Sequence, residues 1–144
     1  MSGTHGTNGR GPRIAIIGAG PGGLCMGIRL KAAGLDRFEI LEKAGGVGGT
    51  WYYNRYPGCA CDIPSHLYSF SFEPKCDWSR PYAPQPEILA YLEHCAAKYG
   101  LLPHCRFGDG VERARWDEAA AQWTLELASG RRVAADVVVS AIGM

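Results

Sequence analysis

At 144 residues the chain is long enough for one domain with its own core, because a chain of this size hides about two-thirds of its unfolded surface. An apolar fraction of 47% and a charged fraction of 20% exclude wholesale disorder. A net charge of +1 gives no pull toward nucleic acid or an anionic membrane surface, and no apolar run is long enough for a transmembrane helix.

Residues 1–12 are rich in Gly, Thr and Asn, without apolar periodicity or the apolar core of a secretory signal, and read as a disordered tail. Arg13 to Ile17 is a continuous apolar run suited to a central parallel strand. It feeds directly into G-x-G-x-x-G, with glycines at Gly18, Gly20 and Gly23. From Gly22 to Ala33 the residues Leu24, Ile28 and Ala32 repeat at helical spacing, and Gly34 suits the position just past the helix. Phe38 to Leu41 reads as a second strand ending at Glu42.

That order of strand, turn, helix, strand and acid is a dinucleotide-binding unit. Gly18 permits the tight turn, Gly20 lets the backbone approach a pyrophosphate, and Gly23 lets the helix pack closely. The helix N-terminus offers free N–H groups to phosphate. Glu42 can accept hydrogen bonds from an adenosine ribose and repels a 2′-phosphate, which favours FAD or NAD over NADP at this site.

Ala44 to Pro64 combines many glycines with Trp51, Tyr52, Tyr53 and Tyr56 and reads as a long irregular loop of the functional kind. Leu67 to Phe72 fits a short strand or a helical turn equally well, and Pro74 to Pro84 reads as surface loop. Gln85 to Tyr99 reads as an amphipathic helix with Pro86 in its first turn, Ile88, Leu92, Cys95 and Tyr99 on one face, and Gly100 at its end. Cys105 to Phe107 suits a third parallel strand. Val111–Trp116, Gln122–Leu127 and Arg132–Ala135 form an expected antiparallel meander. Asp136 to Ala141 reads as another buried parallel strand. The expected fold class is α/β: a Rossmann-like FAD-binding domain over 13–144, with a parallel sheet and a small β-meander.

The six cysteines include no C-x-x-C pair. They read as reduced, partly buried thiols of a cytoplasmic protein, and no metal site is expected from Cys59, Cys61 and a nearby histidine.

The motifs become more specific after Glu42. The runs Leu41-Glu42-Lys43, Gly45-Gly46-Val47-Gly48-Gly49-Thr50-Trp51-Tyr52, Asn54-Arg55-Tyr56-Pro57-Gly58, Cys61-Asp62 and Tyr68-Ser69-Phe70-Ser71-Phe72 resemble the class B flavin monooxygenases, and among them the Baeyer–Villiger monooxygenases. The segment Tyr82 to Leu89 and the closing Ala141-Ile142-Gly143 fit the same pattern. The resemblance implies FAD as cofactor and NADPH as co-substrate, with dioxygen and a small organic molecule as reactants. The implied reaction is oxygenation of ketones, or of amines and sulfides.

The resemblance also implies site residues. Gly18, Gly20 and Gly23 would hold the FAD pyrophosphate and Glu42 the adenosine ribose. Gly49, Thr50 and Trp51 would line the approach to the isoalloxazine, and the Val111 backbone would meet the adenine. Asp62 would be the acid beside flavin and nicotinamide, and so the catalytic candidate, while Tyr68 would touch the flavin side of the pocket. Three departures are visible. Cys59-Ala60 replaces a frequent Ala-Arg, and Ile142 replaces a threonine. The family's NADPH-binding domain and later signature are not within these 144 residues, so the domain reads as incomplete and turnover by 1–144 alone is not expected. A non-catalytic or decayed FAD-binding domain is a second reading, and another flavin oxidoreductase of the two-dinucleotide-fold class is a third.

Overall fold

The computed structural model describes residues 11–143; the tail expected over residues 1–12 lies almost wholly outside them, as does Met144. Two sheets and three α-helices make up the described chain. The strands are β1 (Ile14–Ile17), β2 (Phe38–Glu42), β3 (Cys105–Phe107), β4 (Val111–Asp117), β5 (Gln122–Leu127), β6 (Arg132–Ala135) and β7 (Val137–Ser140). The helices are α1 (Pro21–Ala32), α2 (Thr50–Tyr53) and α3 (Gln85–Lys98).

β3, β2, β1 and β7 lie side by side in a parallel sheet, with Ile14 opposite both Phe38 and Val137 and Ile17 opposite Leu41 and Ser140. Strand side chains alternate between the faces of a sheet. Ile14, Ile16, Phe38 and Ile40 therefore share one buried cluster with Leu24 and Ile28 of α1 and Ile88, Leu92 and Cys95 of α3. Ala15 and Leu41 join Leu125, Leu127 and Ala135 of the antiparallel β4–β5–β6 sheet in a second cluster. The parallel sheet is thus sandwiched between helices and meander.

The helices end as their sequences require. Gly34 and Gly100 hold φ of +72° and +62°, and each follows a paired closure: Gly34 N–H to Lys31 O with Leu35 N–H to Leu30 O, and Gly100 N–H to Ala97 O with Leu101 N–H to Ala96 O. These pairs satisfy last-turn carbonyls that would otherwise be orphaned.

Two expectations are corrected. The stretch from Ala44 to Pro64 is not irregular throughout: Gly48 and Gly49, both at positive φ, reverse the chain into the single helical turn of α2. The Asn54 amide then closes it, its backbone N–H and Nδ2 both donating to Thr50 O. β7 is a parallel strand but not a buried one, with Val137 41% exposed. It pairs with β1 on one side and forms an edge of the sheet, so the valine run that suggested a buried strand is half uncovered. The stretch left open between strand and turn opens on a 3-10 turn, Ser65–Leu67, and ends in an isolated bridge between Phe70 and Glu73.

Candidate functional site

The carboxyl ends of β1, β2 and β7 open onto one cleft of about 750 Å³, the place where open α/β sheets bind ligands. One wall is the turn after β1 and the start of α1, with Gly18, Gly20, Pro21 and Gly22. A second is Leu41, Glu42 and Lys43 beside Gly110 and Val111. Gly49, Thr50, Tyr53 and Asn54 make a third, and Ala141, Ile142 and Gly143 a fourth.

The glycines are needed for main-chain proximity. At Gly23 an added Cβ would lie 1.9 Å from the Gly18 carbonyl oxygen, so this glycine lets α1 pack against the turn that precedes it. Gly18 stands at φ +104°, and a Cβ there would come 2.5 Å from the Ala141 oxygen at the exit of β7. A Cβ on Gly49 would meet Gly20 Cα at 2.9 Å. Gly20 therefore serves a second contact that the fingerprint alone does not announce: the aromatic glycine loop lies directly on the dinucleotide turn. That contact is reinforced by Gly48 N–H donating to Ala19 O at 2.9 Å. α1 opens at Gly20 without a capping side chain, which leaves first-turn amides for a ligand rather than for a cap.

Glu42 is only 5% exposed. Its Oε2 accepts from Ala19 N–H at 2.7 Å and its Oε1 from Ala44 N–H at 2.8 Å. The acid therefore ties the turn after β1 to the segment after β2, while each oxygen keeps a further lone pair. Burial beside Glu42 pushes the neighbouring Cys105 thiol up to about 11, with burial the larger cause. The Lys43 ammonium lies 5.6 Å from the centre of the Tyr53 ring, and both residues line the cleft.

Of the residues singled out from the sequence, Gly18, Gly20, Glu42, Gly49, Thr50 and Val111 meet in this cleft, with Gly23 packed behind its turn. Trp51, Tyr68 and Asp62 lie outside it. Trp51 is buried in the helix-side core, where its Nε1 donates to Tyr68 Oη at 2.9 Å. Burial pushes the Tyr68 hydroxyl up, the Trp51 hydrogen bond opposes this, and Cys61 and Asp62 add to the rise. Tyr68 lines a smaller apolar hollow that shares Pro21 with the main cleft. Asp62 is exposed and follows the buried Cys61. No group of three or more His, Cys, Asp or Glu side chains is gathered for a metal among the described residues.

Sequence reasoning missed Gln85, whose Nε2 donates to the Trp51 carbonyl and whose backbone N–H donates to Cys59 O. A polar residue opening a helix carries no signal of such a distant partner. It also missed Gly110, whose added Cβ would sit 2.8 Å from Lys43 Cβ and whose place in the wall depends on the later meander.

The profile of the NAD(P)-binding Rossmann-like domain matches residues 16–84. A Baeyer–Villiger monooxygenase of Streptomyces coelicolor is 53% identical over 131 residues, which is 91% of this chain and 25% of that protein. One from Pseudomonas aeruginosa is 50% identical over the same shares. The chain is a homologue of the Baeyer–Villiger monooxygenases. Among solved structures, a steroid monooxygenase bound to NADP superimposes with a TM-score of 0.86 at 43% identity, over 92% of this chain and 26% of that one. Cyclohexanone monooxygenase from Rhodococcus sp. Phi1 gives 0.87 at 39% identity, again over 92% and 26%. The chain thus spans about a quarter of the length of the Baeyer–Villiger relatives it matches.

Proposed function

We propose that residues 13–144 are the FAD-binding part of an NADPH-dependent flavoprotein monooxygenase of the Baeyer–Villiger type. The observation that carries this reading is the convergence of Gly18, Gly20, Glu42, Gly49, Thr50 and Val111 on one cleft at the ends of the parallel strands. Its volume and its main-chain walls suit a dinucleotide, and one structural relative is a complex with FAD and NADP.

The chain's own residues have distinct tasks in this reading. The uncapped start of α1 binds the diphosphate through backbone N–H groups. Glu42 accepts from the ribose hydroxyls with the lone pairs not used by Ala19 and Ala44. The Val111 backbone meets the adenine. Gly49 and Thr50 border the approach to the isoalloxazine, and Trp51, held by Tyr68, backs them from the core. Asp62, exposed outside this cleft, would be the acid beside the flavin and the nicotinamide, as the family resemblance implies. The flavin, when bound, supplies redox and oxygen chemistry; the protein supplies position, electrostatics and exclusion of water. The reactants are dioxygen and a small organic substrate. Six free cysteines support a reducing, cytoplasmic setting.

Purified chain is expected to retain a flavin absorbance spectrum, or to acquire one on titration with FAD, and Gly23→Ala to lose it. A wild-type chain that binds no FAD overturns the reading.

A further inference from the structure

A residue that does not line the cleft pins the segment that forms its Gly110–Val111 wall. β3 leaves the parallel sheet at Phe107, and the chain crosses to the meander through Gly108, Asp109 and Gly110 before β4 begins at Val111. This crossing is pinned from both sides. Toward the parallel sheet, Gly108 N–H donates to Ala44 O at 2.9 Å and Asp109 N–H to Glu42 O at 3.3 Å. Toward the meander, Ala128 N–H donates to Gly110 O at 2.9 Å.

The Asp109 carboxylate joins the two sides. Its Oδ1 accepts from Ser129 N–H at 3.0 Å and its Oδ2 from Ser129 Oγ at 2.8 Å. Arg131 Nε lies 3.8 Å from Oδ2, and Arg131 Nη2 lies 3.8 Å from Glu39 Oε2 on β2. One side chain thus ties the β5–β6 turn to the crossing whose next two residues form the wall against Lys43. The Ser129 amide and hydroxyl, with Arg131, hold this carboxyl below the usual range and keep it an acceptor.

We propose that Asp109 is a positioning residue for the adenosine end of the dinucleotide, acting through Ser129 to hold the Gly110–Val111 wall at its distance from Glu42 and Lys43. The inference rests on the cofactor reading above. The Gly110 stretch of wall is bare main chain and cannot compensate for a shift by changing rotamers, so a gap of about 0.5–1 Å there forfeits roughly a quarter to a half of each contact's attraction.

The test is titration of the 144-residue chain with FAD and, separately, with ADP, which carries the adenosine and the diphosphate without the flavin. Asp109→Ala is expected to weaken both ligands about tenfold, and Ser129→Ala about threefold. Asp109→Asn, which keeps an acceptor for the Ser129 amide, is expected to retain most of the affinity. Glu73→Gln breaks a comparable ion pair with Lys98 away from the cleft; it serves as the control for a purely structural effect and is expected to lower the melting temperature without changing either affinity. FAD and ADP bound as tightly by Asp109→Ala as by wild type, or weakened as much by Glu73→Gln, would overturn the inference alone. A wild-type chain that binds neither ligand would overturn the cofactor reading and the inference with it.

Discussion

At the scale of single residues the glycines at the two ends of α1 are of two kinds. Gly34 has left-handed backbone but nothing within 4 Å of an added Cβ, so Gly34→Ala should cost only the conformational strain of about 1 kcal/mol. Gly23 has the opposite character: an added Cβ would fall 1.9 Å from a carbonyl oxygen that belongs to the ligand turn itself. Gly23→Ala should cost about 3 kcal/mol or more. Chemical denaturation of the two variants measures the contrast, and equal losses would refute the packing explanation. Gln85 is a residue of the same importance on the core side. Removing its side chain leaves the Trp51 carbonyl without its partner, and Gln85→Ala should destabilise by about 1–3 kcal/mol. Tryptophan fluorescence should report the change, because the affected carbonyl belongs to a buried indole residue.

Among the elements, β1 and β7 are joined at their starts by a salt bridge. Arg13 Nη2 lies 2.6 Å from Asp136 Oδ1, while Arg13 N–H and Nε both donate to Oδ2. The guanidinium and the Arg13 amide hold the Asp136 carboxyl down at about 2. A carboxylate whose folded pKa lies below its unfolded value of about 3.9 stabilises the fold above that unfolded value. This contribution is lost as pH falls from about 4 toward about 2. Asp136→Asn should therefore flatten the acid limb of the stability profile in that window, as read by thermal melts; both side chains are more than a third exposed, so the effect is screened and modest. The sequence showed the elements well where periodicity or fingerprint marked them: β1, α1, β2, α3 and the meander all stand where the pattern puts them. It did not show that Asp136 anchors β7 rather than joining it, because that partner lies 123 residues away. Nor did it show the exposure of β7. A valine run has the same composition in the middle of a sheet and at its edge, and only the strand order decides between them. The one-turn helix α2 escaped for a local reason: glycines at positive φ and aromatics read as loop, although they also reverse a chain into a helix start.

For the molecule as a whole, the cleft was legible as chemistry before it was legible as a shape. The fingerprint glycines and Glu42 announce a dinucleotide, yet the wall at Gly110 and Val111 comes from a meander nearly 70 residues beyond Glu42 in the chain, by subtraction of their numbers. Because the site draws on segments from both buried clusters, a ligand held there should stabilise the whole fold. At a hundredfold excess of FAD over its dissociation constant, the gain is about 2.7 kcal/mol, or a rise of roughly 5–10 °C in melting temperature. Differential scanning fluorimetry with FAD, and with FMN as the probe lacking adenosine, should show the larger shift for FAD; equal shifts would count against binding through the adenosine end. The contact between Gly20 and Gly49 carries a consequence of another kind. There the two ligand-facing loops meet as bare main chain, with nothing to ionise, oxidise or swing aside. The constraint runs one way: a Cβ on Gly20 would rest 3.5 Å from Gly49 Cα, an ordinary contact, whereas one on Gly49 would press to 2.9 Å from Gly20 Cα, so the later loop is the one that must stay bare while the turn beneath it has room to change.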